Sequence, residues 1–177
     1  MTRTITLRPY ETGDAGALAA IYRKGVERLG PRAYRPEQVA AWLSIAPSAQ
    51  DLDRIYRDGR FTCVALDHSG APIGFGDLAN TGHIHFLYVD PDFAGQGIGR
   101  ALVAEFLREA RRQSLDTVFS DASELARPVF LRAGFKCIAR QEHQIGGIKI
   151  HNYHMCFAVP GPERTLSRRR GRSDGDT

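Results

Sequence analysis

The sequence predicts an α/β protein of the α+β kind, a mixed, mostly antiparallel sheet of about seven strands with helices on both faces. Three observations predict it. Stretches of period-two and of helical periodicity alternate in the order strand, two or three helices, three strands, helix, strand, helix, two strands. The three middle strands are joined by short turns, which makes them antiparallel neighbours. The helix after the third needs a crossover, so the strand beyond it runs parallel to the strand before it.

Thr4 to Arg8 alternates as a strand does. Asp14 reads as the N-cap of a helix carrying Leu18, Ile21, Tyr22 and Val26, stopped by Gly30-Pro31. A second helix opens near Pro36 with Val39, Trp42 and Leu43 on one face, and Asp51 to Arg57 reads as a short third. Strands follow at Phe61 to Leu66, Ile73 to Leu78 and His83 to Val89, separated by the turns Asp67-His68-Ser69-Gly70 and Asn80-Thr81-Gly82. After the loop Asp90 to Ala94 and the cluster Gly95-Gln96-Gly97-Ile98-Gly99, Leu102, Val103, Phe106, Leu107 and Ala110 recur at helical spacing. Thr117 to Ser120 is a short strand. Ser123 is positioned to cap a helix carrying Ala126, Val129, Phe130 and Ala133, closed by Gly134. Lys136 to Gln144 and Lys149 to Val159 flank Gly146-Gly147 as a hairpin. Periodicity ends at Pro160. One domain, residues 1 to about 160, is expected, followed by a basic tail, 161–177, read as a frayed, solvated terminus.

Size and composition narrow the function. A chain of 177 residues, 42% hydrophobic and 25% charged, suits one soluble domain. No apolar run approaches the roughly 18 residues of a membrane helix, and the first residues lack a signal-peptide core. Cys63, Cys137 and Cys156 fit neither a disulfide framework nor a zinc motif, so a reducing cytoplasm is the simplest setting. Each sits in an apolar stretch and reads as buried and inert. The net charge of +4 is partly a property of the tail, so charge alone implies no nucleic-acid partner.

Chemistry concentrates between His83 and Leu102. A strand ends, a loop follows, and a helix opens at glycines. Helix N-termini expose unpaired N–H groups and the positive end of the macrodipole, and glycine lets an anion approach the backbone. Such a loop suits phosphate. A P-loop would need Lys and then Ser or Thr after its last glycine, whereas Gly99 is followed by Arg100-Ala101. A dinucleotide fold and a nicotinamide-dependent oxidoreductase want G-x-G-x-x-G on an early βαβ unit, whereas this loop is Gly95-x-Gly97-x-Gly99 after a meander. On the glycines alone, a tight turn with no ligand stays open.

The run Leu87-Tyr88-Val89-Asp90-Pro91-Asp92-Phe93-Ala94-Gly95-Gln96-Gly97-Ile98-Gly99-Arg100-Ala101-Leu102 closely resembles the coenzyme-A-binding motif of the GNAT superfamily of N-acetyltransferases. Downstream, Ser123-x-x-Ala126-x-x-Val129-Phe130-x-x-x-Gly134-Phe135 resembles that superfamily's following helix and its Gly-Phe ending. With the order of elements, the resemblance spans roughly Ile5 to Val159. Asp121-Ala122-Ser123 with Arg127-Pro128-Val129-Phe130 is similar to a bacterial subgroup of largely unassigned substrate.

The resemblance implies an acyl-CoA N-acyltransferase fold whose sheet splays between the fourth and fifth strands, with the pantetheine arm in the gap. Backbone groups of Leu87, Tyr88 and Val89 would pair with the pantetheine. The loop Ala94, Gly95, Gln96, Gly97, Ile98, Gly99 and Arg100 would hold the pyrophosphate, and Ser123, Ala126 and Phe130 would line the other wall. Acetyl-CoA would be the cosubstrate, with no metal, and a primary amine of a small molecule, peptide or protein the acceptor. No nucleic acid or membrane is implied. Dimers are common in the superfamily, so a homodimer fits.

Two positions depart from the pattern. Ala94 stands where Gln or Arg is usual, and Phe130 where many members carry a Tyr that protonates the departing thiolate. Phenylalanine has no proton to give, which also admits a non-catalytic acyl-CoA-binding regulatory module. His85 is the first candidate base, since imidazole accepts a proton near neutral pH. His83, His151, His154 and Asp77 follow it, and no Cys or acid spacing supports a histidine metal site. Tyr153 is the first substitute proton donor. The helices from Asp14 to Arg57 would build the acceptor pocket, with Tyr22, Tyr34 and Trp42 as candidate lining.

Overall fold

A computed structural model describes residues 5–160; the expected basic tail, 161–177, lies outside the described residues. Strand β1 (Thr6–Arg8) leads into α1 (Ala15–Leu29), α2 (Pro36–Ser44) and α3 (Ala49–Ile55). Strands β2 (Phe61–Leu66), β3 (Pro72–Leu78) and β4 (Leu87–Val89) precede α4 (Ile98–Arg112), β5 (Thr117–Ala122), α5 (Arg127–Arg132) and the hairpin β6 (Lys136–Ile145) and β7 (Ile148–Ala158).

The seven strands form two sections, ordered β1-β2-β3-β4 and β5-β7-β6. The meander β2-β3-β4 is antiparallel as expected. The sections meet through a parallel bridge between His83 and Phe119. There Ile84 N–H donates to Phe119 O at 2.8 Å and Phe119 N–H donates to Gly82 O at 2.9 Å. The expected strand from His83 to Val89 is thus divided. Its start pairs with β5, and its end, 87–89, pairs only with β3.

Asp77 makes this division. Its Oδ1 accepts the amides of His85 and Phe86, at 2.9 and 2.8 Å, where strand partners would otherwise sit. Its Oδ2 takes Arg60 Nη1 at 2.7 Å, so a fully buried carboxylate is both hydrogen-bonded and paired. A buried charge held this way has a structural task, and Asp77 is removed from the candidate bases. Beyond His85 and Phe86, β4 and β5 run in separate sections and are no longer paired.

Each face of the sheet carries its own core. Leu102, Val103, Phe106 and Leu107 of α4 join Phe130 and Phe135 over one face. Leu18, Ile21, Tyr22 and Val26 of α1, with Val39 and Leu52, cover the other beside Phe75 and Phe86. Phe106 is fully buried, and truncating such a ring typically costs about 3–5 kcal/mol. Gly76 is small for the same reason: a Cβ there would lie 2.5 Å from Phe86 O and 2.8 Å from Phe106 Cζ.

Three local expectations are corrected. Asp14 does not cap α1 with its side chain. It closes a 3₁₀ turn at Thr12–Asp14, accepting Glu11 N–H at 2.9 Å and the Arg8 Nη1 and Nη2 groups at 2.7 and 2.8 Å, because the arginine at the end of β1 outcompetes the helix amides. The helix expected from Ser123 starts at Arg127, since Ser123 Oγ and O hold a preceding turn through Ala126 N–H. Cys137 is exposed, while Cys63 is buried and Cys156 half-buried. Cys137 lies on β6, the outer strand of its section and exposed along nearly its whole length, and neighbouring Ile138 is 60% exposed. Lys136, Arg140 and Glu142 supply the charge that keeps such an edge soluble.

Candidate functional site

The divergence of β4 and β5 opens a cleft of about 750 Å³. One end is the glycine loop. Gly95 and Gly97 adopt left-handed backbone, φ 78° and 83°, and a Cβ at either would meet nothing within 4 Å. Gly97 is the N-cap of α4, and the first bond closing on it comes from Ala101 N–H at 2.9 Å. The amides of Ile98, Gly99 and Arg100 therefore have no acceptor within the helix, and they sit at its positive end. Loop and helix are anchored by Asp90, whose Oδ1 accepts Asp92 N–H at 2.9 Å, and by Lys24 of α1.

Leu87, Tyr88, Val89, Ala94, Gly95, Gly97, Ile98, Gly99, Arg100, Ser123 and Ala126 all line this cleft, so residues expected to act together do come together. Two do not. Gln96 turns to a neighbouring cavity beside Ile5 and Phe93. Phe130 is 1% exposed and packs edge-on against Phe135, with ring centroids 5.0 Å apart, in the core beneath the wall. An apolar ring at that position gains more from the core than from a polar channel.

Among the histidines, His85 lines the cleft with an exposed ring resting on Phe86 at 4.3 Å, and no hydrogen bond to it is found among the described residues. His83 is stacked on Phe119 at 4.8 Å, and burial, with His85 adding to it, lowers its pKa. His154 is occupied, its Nδ1 at 2.8 Å from Asp121 Oδ1 and its Nε2 at 3.3 Å from Cys156 Sγ.

Tyr153 is off the cleft lining. Its hydroxyl donates to Glu124 Oε2 at 2.6 Å, and its ring lies under the Arg127 guanidinium at 4.4 Å. That hydrogen bond raises the Tyr153 pKa and lowers that of Glu124. Its proton is committed to Glu124, which corrects the expectation of a free donor. Glu124 also meets His151 Nε2 at 3.1 Å, and the Tyr34 hydroxyl bridges the two segments, donating to His151 O at 3.2 Å and accepting Glu124 N–H at 2.8 Å. Burial raises the Tyr34 pKa, as it does for Tyr22 and Tyr88, so these phenols stay protonated at neutral pH.

The cleft's other end receives Tyr22, Tyr34 and Trp42 as expected, and also residues that periodicity did not mark: Arg32, Ile45, His143, Ile145 and Asn152. The hairpin residues reach the cleft only because β6 and β7 fold back past the end of β5, which no local pattern announces. Glu124 had a signal, since it directly follows the Ser123 of the second motif. Among the described residues, no cluster of three or more His, Cys, Asp or Glu could hold a metal, and no helix is long and apolar enough to cross a membrane.

A family model described as an acetyltransferase (GNAT) domain matches residues 31–157. The uncharacterized N-acetyltransferase YafP of Escherichia coli (strain K12) is 27% identical over 154 residues, covering 86% of this chain and 95% of that one. The crystal structure of a GCN5-related N-acetyltransferase from Rhodopseudomonas palustris aligns with a TM-score of 0.82 at 31% identity, covering 90% and 98% of the two chains. A phosphinothricin acetyltransferase from Sinorhizobium meliloti, solved in complex with acetyl-CoA, aligns with a TM-score of 0.69 at 22% identity, covering 90% and 89%. At that identity the likeness is one of fold.

Proposed function

The chain belongs to the GNAT acetyltransferase family, and from that premise we propose that it moves the acetyl group of acetyl-CoA onto a primary amine within a ternary complex. The catalytic unit is one domain ending near residue 160. The observation that carries the reading is the pair of left-handed glycines opening α4 at one end of the cleft, with unfilled amides facing a gap between strands. A diphosphate suits that turn, because main-chain amides bind it without the entropy cost of ordering long side chains. Amides of Gln96, Gly97, Ile98, Gly99 and Arg100 hold it. Leu87 and Val89 align the pantetheine as a strand would, with Ser123 and Ala126 opposite.

The acceptor enters from the side of α1 and α2. Its nitrogen must lose a proton before it attacks the thioester carbonyl, and His85 takes that proton, its ring being free and in the cleft. The nitrogen–carbon bond forms, the carbon–sulfur bond breaks, and the thiolate leaves. Water protonates it, because Phe130 has no proton to give and the Tyr153 hydroxyl serves Glu124. Val89 N–H is placed to steady the oxyanion. Holding two reactants in register supplies much of the rate.

The test is thiol release from acetyl-CoA across a panel of primary amines, with pH–rate profiles of wild type and His85→Ala. The mutant should lose the acid limb of kcat/KM. An unchanged limb removes His85 as base, and an acetyl-CoA titration without heat removes the whole reading.

A further inference from the structure

The acceptor end of the cleft carries apolar aromatic surface and little to receive a second cation. Trp42 is half-buried and lies edge-on to Tyr34, with centroids 5.4 Å apart. Tyr34 is tilted over His151 at 5.2 Å. Beside them Ile45, the residue after α2, is 57% exposed. Tyr22 and Tyr88, 4.3 Å apart, continue the wall inward. Tyr22 and Tyr34 are buried in the core, whereas Trp42, packed against that core, is only half-buried and Ile45 is exposed.

Charge points the same way. Arg32, Arg100 and Arg132 line the cleft, and Arg32 stands at the acceptor end, in the turn between α1 and α2. The one carboxylate among the described lining residues, Asp121, is already bonded to His154. His85, His143, His151 and Ser123 also line the cleft, and Asn152 Oδ1 is buried with no partner among the described residues. A carbonyl oxygen can accept one amine N–H but does not neutralise a polyamine or a neighbouring lysine. The nearby Glu124 carboxylate is engaged by Tyr153 and His151, so a second ammonium in this cleft would be desolvated beside arginines with no unengaged carboxylate among the described lining residues.

Resting on the acetyl-transfer reading above, we propose that the acceptor is a monoamine carried on a flat aromatic body, with its ring against Trp42 and Ile45 and its nitrogen beside Asn152. Polyamines and lysine-rich peptides are disfavoured by the same surface.

The experiment measures kcat/KM at fixed acetyl-CoA for tryptamine, phenethylamine, spermidine and a lysine peptide. Calorimetric binding of acetyl-CoA is followed in parallel. The aromatic monoamines should exceed spermidine by about tenfold or more, and Trp42→Ala should raise the tryptamine KM by a similar factor. Ile45→Glu, at an exposed position that folding tolerates, should narrow the gap by weakening tryptamine and favouring spermidine. Spermidine or the peptide equalling tryptamine overturns the inference, as does an unaltered preference in Ile45→Glu. Acetyl-CoA that binds while no amine turns over defeats the transfer reading itself, and this inference with it.

Discussion

Lys24 Nζ lies 2.7 Å from Oδ1 and 2.9 Å from Oδ2 of Asp90, tying the middle of α1 to the residue that follows β4. The same nitrogen reaches Asp92 Oδ2 at 2.6 Å, and Arg28 Nη1 reaches Asp92 Oδ1 at 2.6 Å. Helix α1 thus holds the approach to the glycine loop. Lys24→Ala should raise the KM for acetyl-CoA about fivefold with a smaller change in kcat, because misplacing a binding loop costs affinity before chemistry. Steady-state kinetics at two ionic strengths would check this: salt should weaken the wild type toward the mutant. Equal KM values for both proteins would show that the loop holds its place without α1.

Gly97→Glu should abolish acetyl-CoA binding, lowering affinity by about a hundredfold or more through steric block and like charge at the diphosphate. The φ of 83° adds a strain of about 1–2 kcal/mol for any side chain, so the melting temperature should fall modestly. Calorimetry with thermal denaturation separates the two effects, and normal affinity would contradict the phosphate-binding role of the loop.

Asp77→Ala should be among the most destabilising single changes in the chain. It strips the amides of His85 and Phe86 of their acceptor and leaves Arg60 Nη1 without this partner. The expected loss is about 3–5 kcal/mol, read by chemical denaturation. A loss below about 1 kcal/mol would mean that water replaces the carboxylate at little cost.

Gly82 stands beside the bridge where the segment preceding β4 meets β5, and a Cβ there would lie 2.2 Å from Thr117 O. Gly82→Ala should separate the two sheet sections at this junction. Hydrogen exchange would show it as lost protection at the Ile84 and Phe119 amides, with that of the β2–β3 pair retained. Unchanged protection would show that the junction adjusts.

His83 gives stability a pH dependence. Burial lowers its pKa, so between that lowered value and the ordinary imidazole value the unfolded chain binds more protons than the folded one. Stability therefore rises with pH through this window and is lost as pH falls below about 6.5. His83→Gln should flatten that part of the melting-temperature profile between pH 5.5 and 7.5. An unchanged slope in the mutant would assign the effect elsewhere.

Most of the fold was legible because its signals are local. Gly30-Pro31, Gly134 and Gly146-Gly147 end or turn elements through their own backbone preferences, and the structure turns at each. Leu102, Val103, Phe106, Leu107 and Ala110 recur at helical spacing and face one core. Asp14 misled because its choice between capping a helix and binding Arg8 depends on where β1 runs. Cys137 misled because an apolar stretch does not say whether its strand is central or at the edge.

The cleft-lining segment Leu87 to Arg100 was legible for the same reason: its strand, glycines and helix start follow one another in the chain. What only the tertiary structure decided is the company that segment keeps. The removal of Tyr153 to Glu124, the burial of Phe130, the task of Asp77 and the arrival of Asn152 and Ile45 at the cleft all join residues far apart in the chain. Such meetings are set by how sheets diverge and hairpins return, and side-chain packing at that range leaves no period in the sequence.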